Sequence, residues 1–387
     1  MINRLILATA CLILVFMPSA EWQTHNAFIS GHEIIRNVDW ITKASREVKP
    51  VYTSVKKYSD EVIANMPAAR IKIQQHHTAT QLWYNWEMLL NRSEFQQIPI
   101  IGRLLAERLR KNPDPEVYHS IADLLAQPNV PLENKAILLD LLAEIATPDS
   151  LNQLINLAEQ GVNSSLYILV LQAISRIGDN RWDGEFHEEL SPVLEAAWTN
   201  PVNNDQAFLS AVGNAIAAVG APEGVDQLLQ SVSGSNSGNE TEETSRIKQE
   251  VAFDVIPQVR NPEAVEVLSA RVKQEPLATP AFEVSSIALA EIGSPEATQI
   301  IVDWAKDAPS EGARNLNDLL PKIDDDKSLK SISAARNQVF HSPEIKAVID
   351  TFVENIDSNT TLSATTAGEE SSTVLPSPLI GETDRKN

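Results

Sequence analysis

Cysteine is almost missing from the 387 residues: the one copy is Cys11. It falls inside an N-terminal apolar run, so the chain beyond it can form no internal disulfide, and an oxidising compartment neither helps nor harms it. Glycine is sparse at 14 residues, and aromatic residues make up 5%. Few stretches alternate apolar and polar residues in the manner of a half-buried strand, which leaves helix as the dominant element. Cations are also short, with 31 Lys and Arg against 52 Asp and Glu and a formal net charge of −21. The deficit is uneven. Residues 21–128 hold 13 cations and 12 acids, whereas residues 129–387 hold 17 and 40. An acidic body disfavours nucleic acid and anionic membrane, whose phosphates require clustered Lys and Arg. It serves solubility, and it favours basic partners or divalent cations.

The groups that usually announce catalysis are absent as well. There is no Gly-rich phosphate loop, no cysteine nucleophile beyond Cys11 and no His-Glu-x-x-His zinc pair. His76 and His77 are adjacent; on a helix they point about 100° apart and do not share a metal. Asp179-Asn180-Arg181-Trp182-Asp183-Gly184 resembles the start of a calcium loop, but the third place is Arg181 and the twelfth is Leu190 where a bidentate Glu is needed. Asp324-Asp325-Asp326 reads as a helix N-terminus. The sequence therefore assigns no catalytic, cofactor-binding or metal-ligating residue. Trp83, Tyr84 and Trp86 read as core aromatics at helical spacing, and Trp198 and Trp304 as packing residues late in helices.

The N-terminus has the layout of a secretory signal. Arg4 precedes an apolar run from Leu5 to Met17, and Pro18-Ser19-Ala20 places small residues before a cut at Ala20. The run is shorter than the roughly 17–25 residues of a membrane span. An uncleaved anchor is the alternative, because Pro18 is not ideal near a cleavage site. Residues 21–97 read as helical without a repeat: Ile34, Ile35, Val38 and Ile41 form one stripe, and Leu82, Trp83, Trp86, Leu89 and Leu90 another. The expected role of this region is to cap the helices C-terminal to it. Residues 358–387, rich in Ser, Thr and Glu, read as a disordered tail, and Ser233–Thr244 as a flexible loop.

What the chain does have is a recurring mark: an aliphatic residue, two small or polar residues, a proline and an acid. It occurs as Ile145-Ala146-Thr147-Pro148-Asp149, Val219-Gly220-Ala221-Pro222-Glu223, Val259-Arg260-Asn261-Pro262-Glu263 and Ile292-Gly293-Ser294-Pro295-Glu296. Proline suits the first turn of a helix, where its missing N–H has no intrahelical acceptor. The acid beside it meets the positive end of the helix dipole. Gly220 and Gly293 stand where a left-handed C-terminal cap closes the preceding helix. Apolar residues flank each mark at helical spacing: Leu141, Leu142, Leu151 and Leu154 around the first, Ile256, Val265 and Leu268 around the third. Leu109–Pro115 and Ile174–Asn180 are degenerate copies, and Ser342-Pro343-Glu344 starts one more helix.

Repeated helix pairs of this kind resemble the HEAT-repeat family among the armadillo-like α-solenoids, over residues 98–357. The resemblance implies an all-α fold over 98–357, a right-handed α-solenoid of antiparallel helix pairs; the sequence pattern itself adds a helical N-terminal region at 21–97 and a signal peptide at 1–20. A tetratricopeptide array fits less well, since its Trp, Gly and Tyr positions do not recur at a fixed period. Members of the family bind other macromolecules on a curved stack, so the expected role is a periplasmic adaptor or scaffold for a protein partner, basic in character. The expectation includes no cofactor, no nucleic acid and no membrane insertion beyond an uncleaved first segment. Two other readings stand beside it. One is an enzyme subunit, since some HEAT-like proteins resemble lyases that attach chromophores to carrier proteins. The other is a structural protein tethered to the membrane by its N-terminal segment.

Overall fold

A computed structural model describes residues 77–91, 98–178, 184–201, 205–234 and 241–369, with side chains through 356 and at 358. The expected signal peptide and most of the expected N-terminal region lie outside these residues. The described part is all-helical, with sixteen α-helices, four short 3-10 turns and no strand. The α-helices are α1 Ala79–Asn91, α2 Ile98–Lys111, α3 Pro115–Ala126, α4 Leu132–Ile145, α5 Pro148–Glu159, α6 Ser164–Arg176, α7 Ser191–Thr199 and α8 Gln206–Val219. They continue as α9 Pro222–Val232, α10 Glu242–Val255, α11 Val265–Gln274, α12 Pro280–Ile292, α13 Pro295–Asp307, α14 Gly312–Leu319, α15 Asp326–Ala335 and α16 Pro343–Glu369.

The recurring mark is a helix stop followed by a helix start. α4, α8 and α12 end on its aliphatic residue, and α5, α9 and α13 begin on its proline. Gly220 and Gly293 both take φ 63°, the left-handed cap expected of them. Ala146 occupies the same place at φ 50° and is the one described non-glycine residue with positive φ. Side-chain caps complete the starts. Thr147 and Ser150 form a reciprocal capping box, and Ser294 Oγ accepts from Ala297 N at 3.2 Å. The third mark differs. Pro262 opens a 3-10 turn, Pro262–Ala264, which leads into α11, and the helix before it also closes through a 3-10 turn, Ile256–Gln258.

Packing follows two interleaved series. Each even-numbered helix packs against the next even-numbered one from α2 to α16, and each odd-numbered helix against the next odd-numbered one from α1 to α15. The two series are joined by contacts between chain neighbours, such as α4 with α5 and α11 with α12. The apolar stripes face these contacts. Leu142, Leu151, Leu154, Val225, Leu228, Ile256, Leu268 and Leu289 have no exposed surface. Burying a leucine-sized side chain contributes about 1.5–3 kcal/mol, which is what holds short helices that would not persist alone.

Several local readings change. Tyr84, read with the core aromatics, is 67% exposed, while Trp83 and Trp86 are buried and stack with ring centroids 5.4 Å apart. Tyr84 sits one position past Trp83 on α1, which turns it away from the buried stripe. The degenerate copy at Ile174–Asn180 does end a helix, α6 stopping at Arg176, and the next odd-series helix is α7, which begins at Ser191 after a 3-10 turn at Glu188–Leu190. Leu190 belongs to the core. Glu242, Glu243 and Thr244, read as loop, form the first turn of α10, because Thr241 Oγ1 caps Thr244 N at 3.2 Å. α16 continues to Glu369, past the Ser358 boundary drawn from composition. Among the described residues no helix is long and apolar enough to cross a membrane.

Candidate functional site

From α2 to α9 the cations fall on the even series alone. α3, α5, α7 and α9 contain no Lys or Arg, yet they carry seven acids: Glu116, Asp123, Asp149, Glu159, Glu195, Glu223 and Asp226. Glu195 and Asp226 are half-buried and the other five are exposed or half-exposed at the surface. Part of the cause is local, since Glu116, Asp149 and Glu223 each follow the N1 proline, where an acid complements the helix dipole. These four helices pack in succession, so the same capping preference recurs from helix to helix along the odd series. Asp226 is partly compensated by Arg271 of α11 at 3.2 Å. Over the same stretch the even series holds the cations: Arg103, Arg108, Arg110 and Lys111 on α2, Lys135 on α4 and Arg176 on α6. α8 has no charged side chain.

On the even series Arg110, Arg176, Arg103 and Lys135 are tied up within the fold. Arg110 donates from Nη1 to the Glu144 carbonyl at 2.7 Å, closing the end of α4. Arg176 pairs with Asp140, and Arg103 lies 3.7 Å from Glu107. Lys135 is buried and donates from Nζ to the Leu125 carbonyl at 2.7 Å. Further along, Lys248 of α10 is 2% exposed, with Nζ 3.5 Å from the Thr199 carbonyl and 5.8 Å from the centre of the Trp198 ring. A cation there meets the negative end of α7 and the face of an indole.

The most perturbed acid in this region is Glu144. Burial pushes its carboxyl up to about 7; Arg110 and then Arg103 work against the rise, and Asp140 and Glu107 add to it. The carboxyl lies beside Gly102, where a side-chain carbon would meet Trp86 of α1 and Glu144 and Leu141 of α4.

Sequence reasoning assigned no catalytic, cofactor or metal residue, and among the described residues no group of three or more His, Cys, Asp and Glu is placed to hold a metal ion. Of the acidic and histidine motifs, Asp325 is a helix cap, its Oδ2 accepting from Lys327 N at 3.0 Å and Ser328 N at 2.9 Å. His76 and Asp179–Asp183 lie outside the described residues. Sequence reasoning missed Glu144 and Lys248. Lys248 carried a signal, since it is four residues after Thr244 and three before Val251 on the buried stripe of α10. Glu144 carried none, because its environment is assembled from α1, α2 and α4. No family model matches the chain, and no curated protein matches it.

Proposed function

We propose that this protein is an α-solenoid adaptor of the HEAT type, exported to the periplasm, that docks a basic protein partner on the side formed by α3, α5, α7 and α9. The observation that carries the reading is the absence of any cation from those four successive helices beside their seven acids. The contact pattern supports the solenoid: a helix pair that packs mainly on the pairs before and after it is the unit of such a stack. Export is supported by Arg4, the apolar run Leu5–Met17 and the small residues at Ser19 and Ala20. A partner with Lys and Arg on its surface would be steered to the acidic side, and its affinity would fall with salt as screening shortens the reach of the charges.

The test uses the chain from residue 21 onward, immobilised and exposed to envelope extract, with bound proteins crosslinked and identified by mass spectrometry. The comparison is a Glu116→Lys, Asp149→Lys, Glu223→Lys variant. None of the three positions is buried, so the fold is expected to persist. A basic protein retained at low salt, released at high salt and not retained by the variant supports the reading. Equal recovery by both chains overturns it.

A further inference from the structure

Trp86 is 1% exposed, and among the described residues its Nε1–H has no hydrogen-bond partner. Buried indole N–H groups are normally bonded, and leaving one unpaired costs about 1–3 kcal/mol, so this donor calls for an explanation. It lies against Gly102. A side-chain carbon on that glycine would stand 3.2 Å from Trp86 Nε1 and 3.7 Å from Glu144 Oε2. The unbonded donor and the carboxyl thus both lie close to the same point, which the lack of a side chain at residue 102 leaves unfilled.

The other polar groups around the carboxyl already have work within the fold. From α2, Arg110 holds the Glu144 backbone carbonyl and Arg103 lies against Glu107. From α4, Asp140 pairs with Arg176 of α6. The charges acting on the Glu144 carboxyl are those of Arg110, Arg103, Asp140 and Glu107, two of each sign. α1 contributes the uncharged indole. A neutral carboxyl tolerates such a place, whereas a carboxylate needs donors.

We propose that Glu144 and Trp86 form a proton-controlled clasp between α4 and α1: the ionised carboxylate takes the indole N–H as a donor across Gly102, and the protonated carboxyl releases it. Loss of the proton converts an unbonded N–H beside a neutral acid into a charge-assisted hydrogen bond, the stronger kind. The proton leaves to solvent, which the half-buried Glu144 side chain still reaches.

The experiment is an NMR titration of the assigned Trp86 indole N–H in the chain from residue 21 onward, from about pH 5.5 to about 8.5. The wild-type resonance is expected to move downfield as pH rises, with a midpoint of about 7, the value to which the Glu144 carboxyl is raised. Glu144→Gln keeps the volume and removes the titration, so the indole shift should be flat. Gly102→Ala places a methyl group close to both partners and should suppress the indole shift while leaving the Glu144 carboxyl free to titrate. An indole resonance that ignores pH, or that moves identically in Glu144→Gln, overturns the proposal.

Discussion

Asn261 donates from Nδ2 to the carbonyl of Val219 at 3.0 Å, across 42 residues of chain. The same nitrogen lies 3.1 Å from Glu188 Oε1, while Oδ1 accepts from Glu263 N at 3.0 Å. One side chain thus caps the turn into α11, satisfies the last carbonyl of α8 and reaches the 3-10 turn before α7. It is 1% exposed. Ser328 repeats the arrangement two helix pairs on, donating from Oγ to the Gly293 carbonyl at 2.7 Å. The corner where one helix ends is closed by the cap residue, or a near neighbour of it, from the next unit.

Asn261→Ala should therefore cost more than a surface cap. Loss of the cap is worth about 1 kcal/mol, and a buried carbonyl left without a donor about 1–3 more. A loss of roughly 2–4 kcal/mol by urea denaturation is expected, against a few tenths for an exposed cap replaced by glycine.

Leu142→Ala and Ile256→Ala remove side chains with no exposed surface from the even series and the turn after α10. Each should lose about 2–5 kcal/mol, depending on how far the neighbours close the cavity. Losses below about 0.5 kcal/mol at both sites, the size expected of surface substitutions, would mean the stripe faces elsewhere.

Ala146 holds a left-handed conformation at φ 50°, ψ 48°, in the place that Gly220 and Gly293 hold in the other marks. A side chain there costs about 1–2 kcal/mol, part of which glycine returns as unfolded-state entropy. Ala146→Gly should raise stability by about 0.5–1 kcal/mol, whereas Gly220→Ala should lower it, both read from denaturation midpoints. At Gly220 the added carbon would also stand 2.6 Å from Asn261 Cβ.

Glu144 makes stability fall as pH rises. Its carboxyl binds a proton more tightly in the folded chain, with a value of about 7, than at the ordinary glutamate value of 4.5. Its contribution is complete below the lower value and disappears as pH rises through the upper one. Glu144→Gln should match wild type near the acid end of that window. Above it, the variant should be more stable by about 1–3 kcal/mol, read from denaturation midpoints at several pH values.

The elements that were legible in the sequence are those written locally. Pro148, Pro222 and Pro295 each announce a helix start because the chemistry of a first turn is complete within five residues. The stripe around each mark is equally local, and Leu142, Leu151, Val225 and Leu268 are all buried. Where the reading failed, the deciding partner was distant or the cue was compositional. Thr241 is one polar residue in a polar run until its hydroxyl caps α10, and Tyr84 differs from Trp83 only by the face it occupies. The Glu144 environment depends on three helices meeting at a glycine, and Gly102 itself gives no hint of this in a helix that otherwise reads as ordinary. Lys135 and Lys248 are charged residues inside buried faces, and their partners, the Leu125 and Thr199 carbonyls, belong to backbone that no side-chain pattern reports.

Among the described residues, every substantial interface joins helices no more than three places apart in the chain. Assembly therefore requires no distant encounter. A nucleus can form at any adjacent set of helices and spread toward both ends, at the fast rates typical of sequence-near topologies. The same locality confines damage. A lesion in α13 would loosen its immediate surroundings and leave α3 to α8 intact, so partial melting by segments is expected rather than one collective collapse.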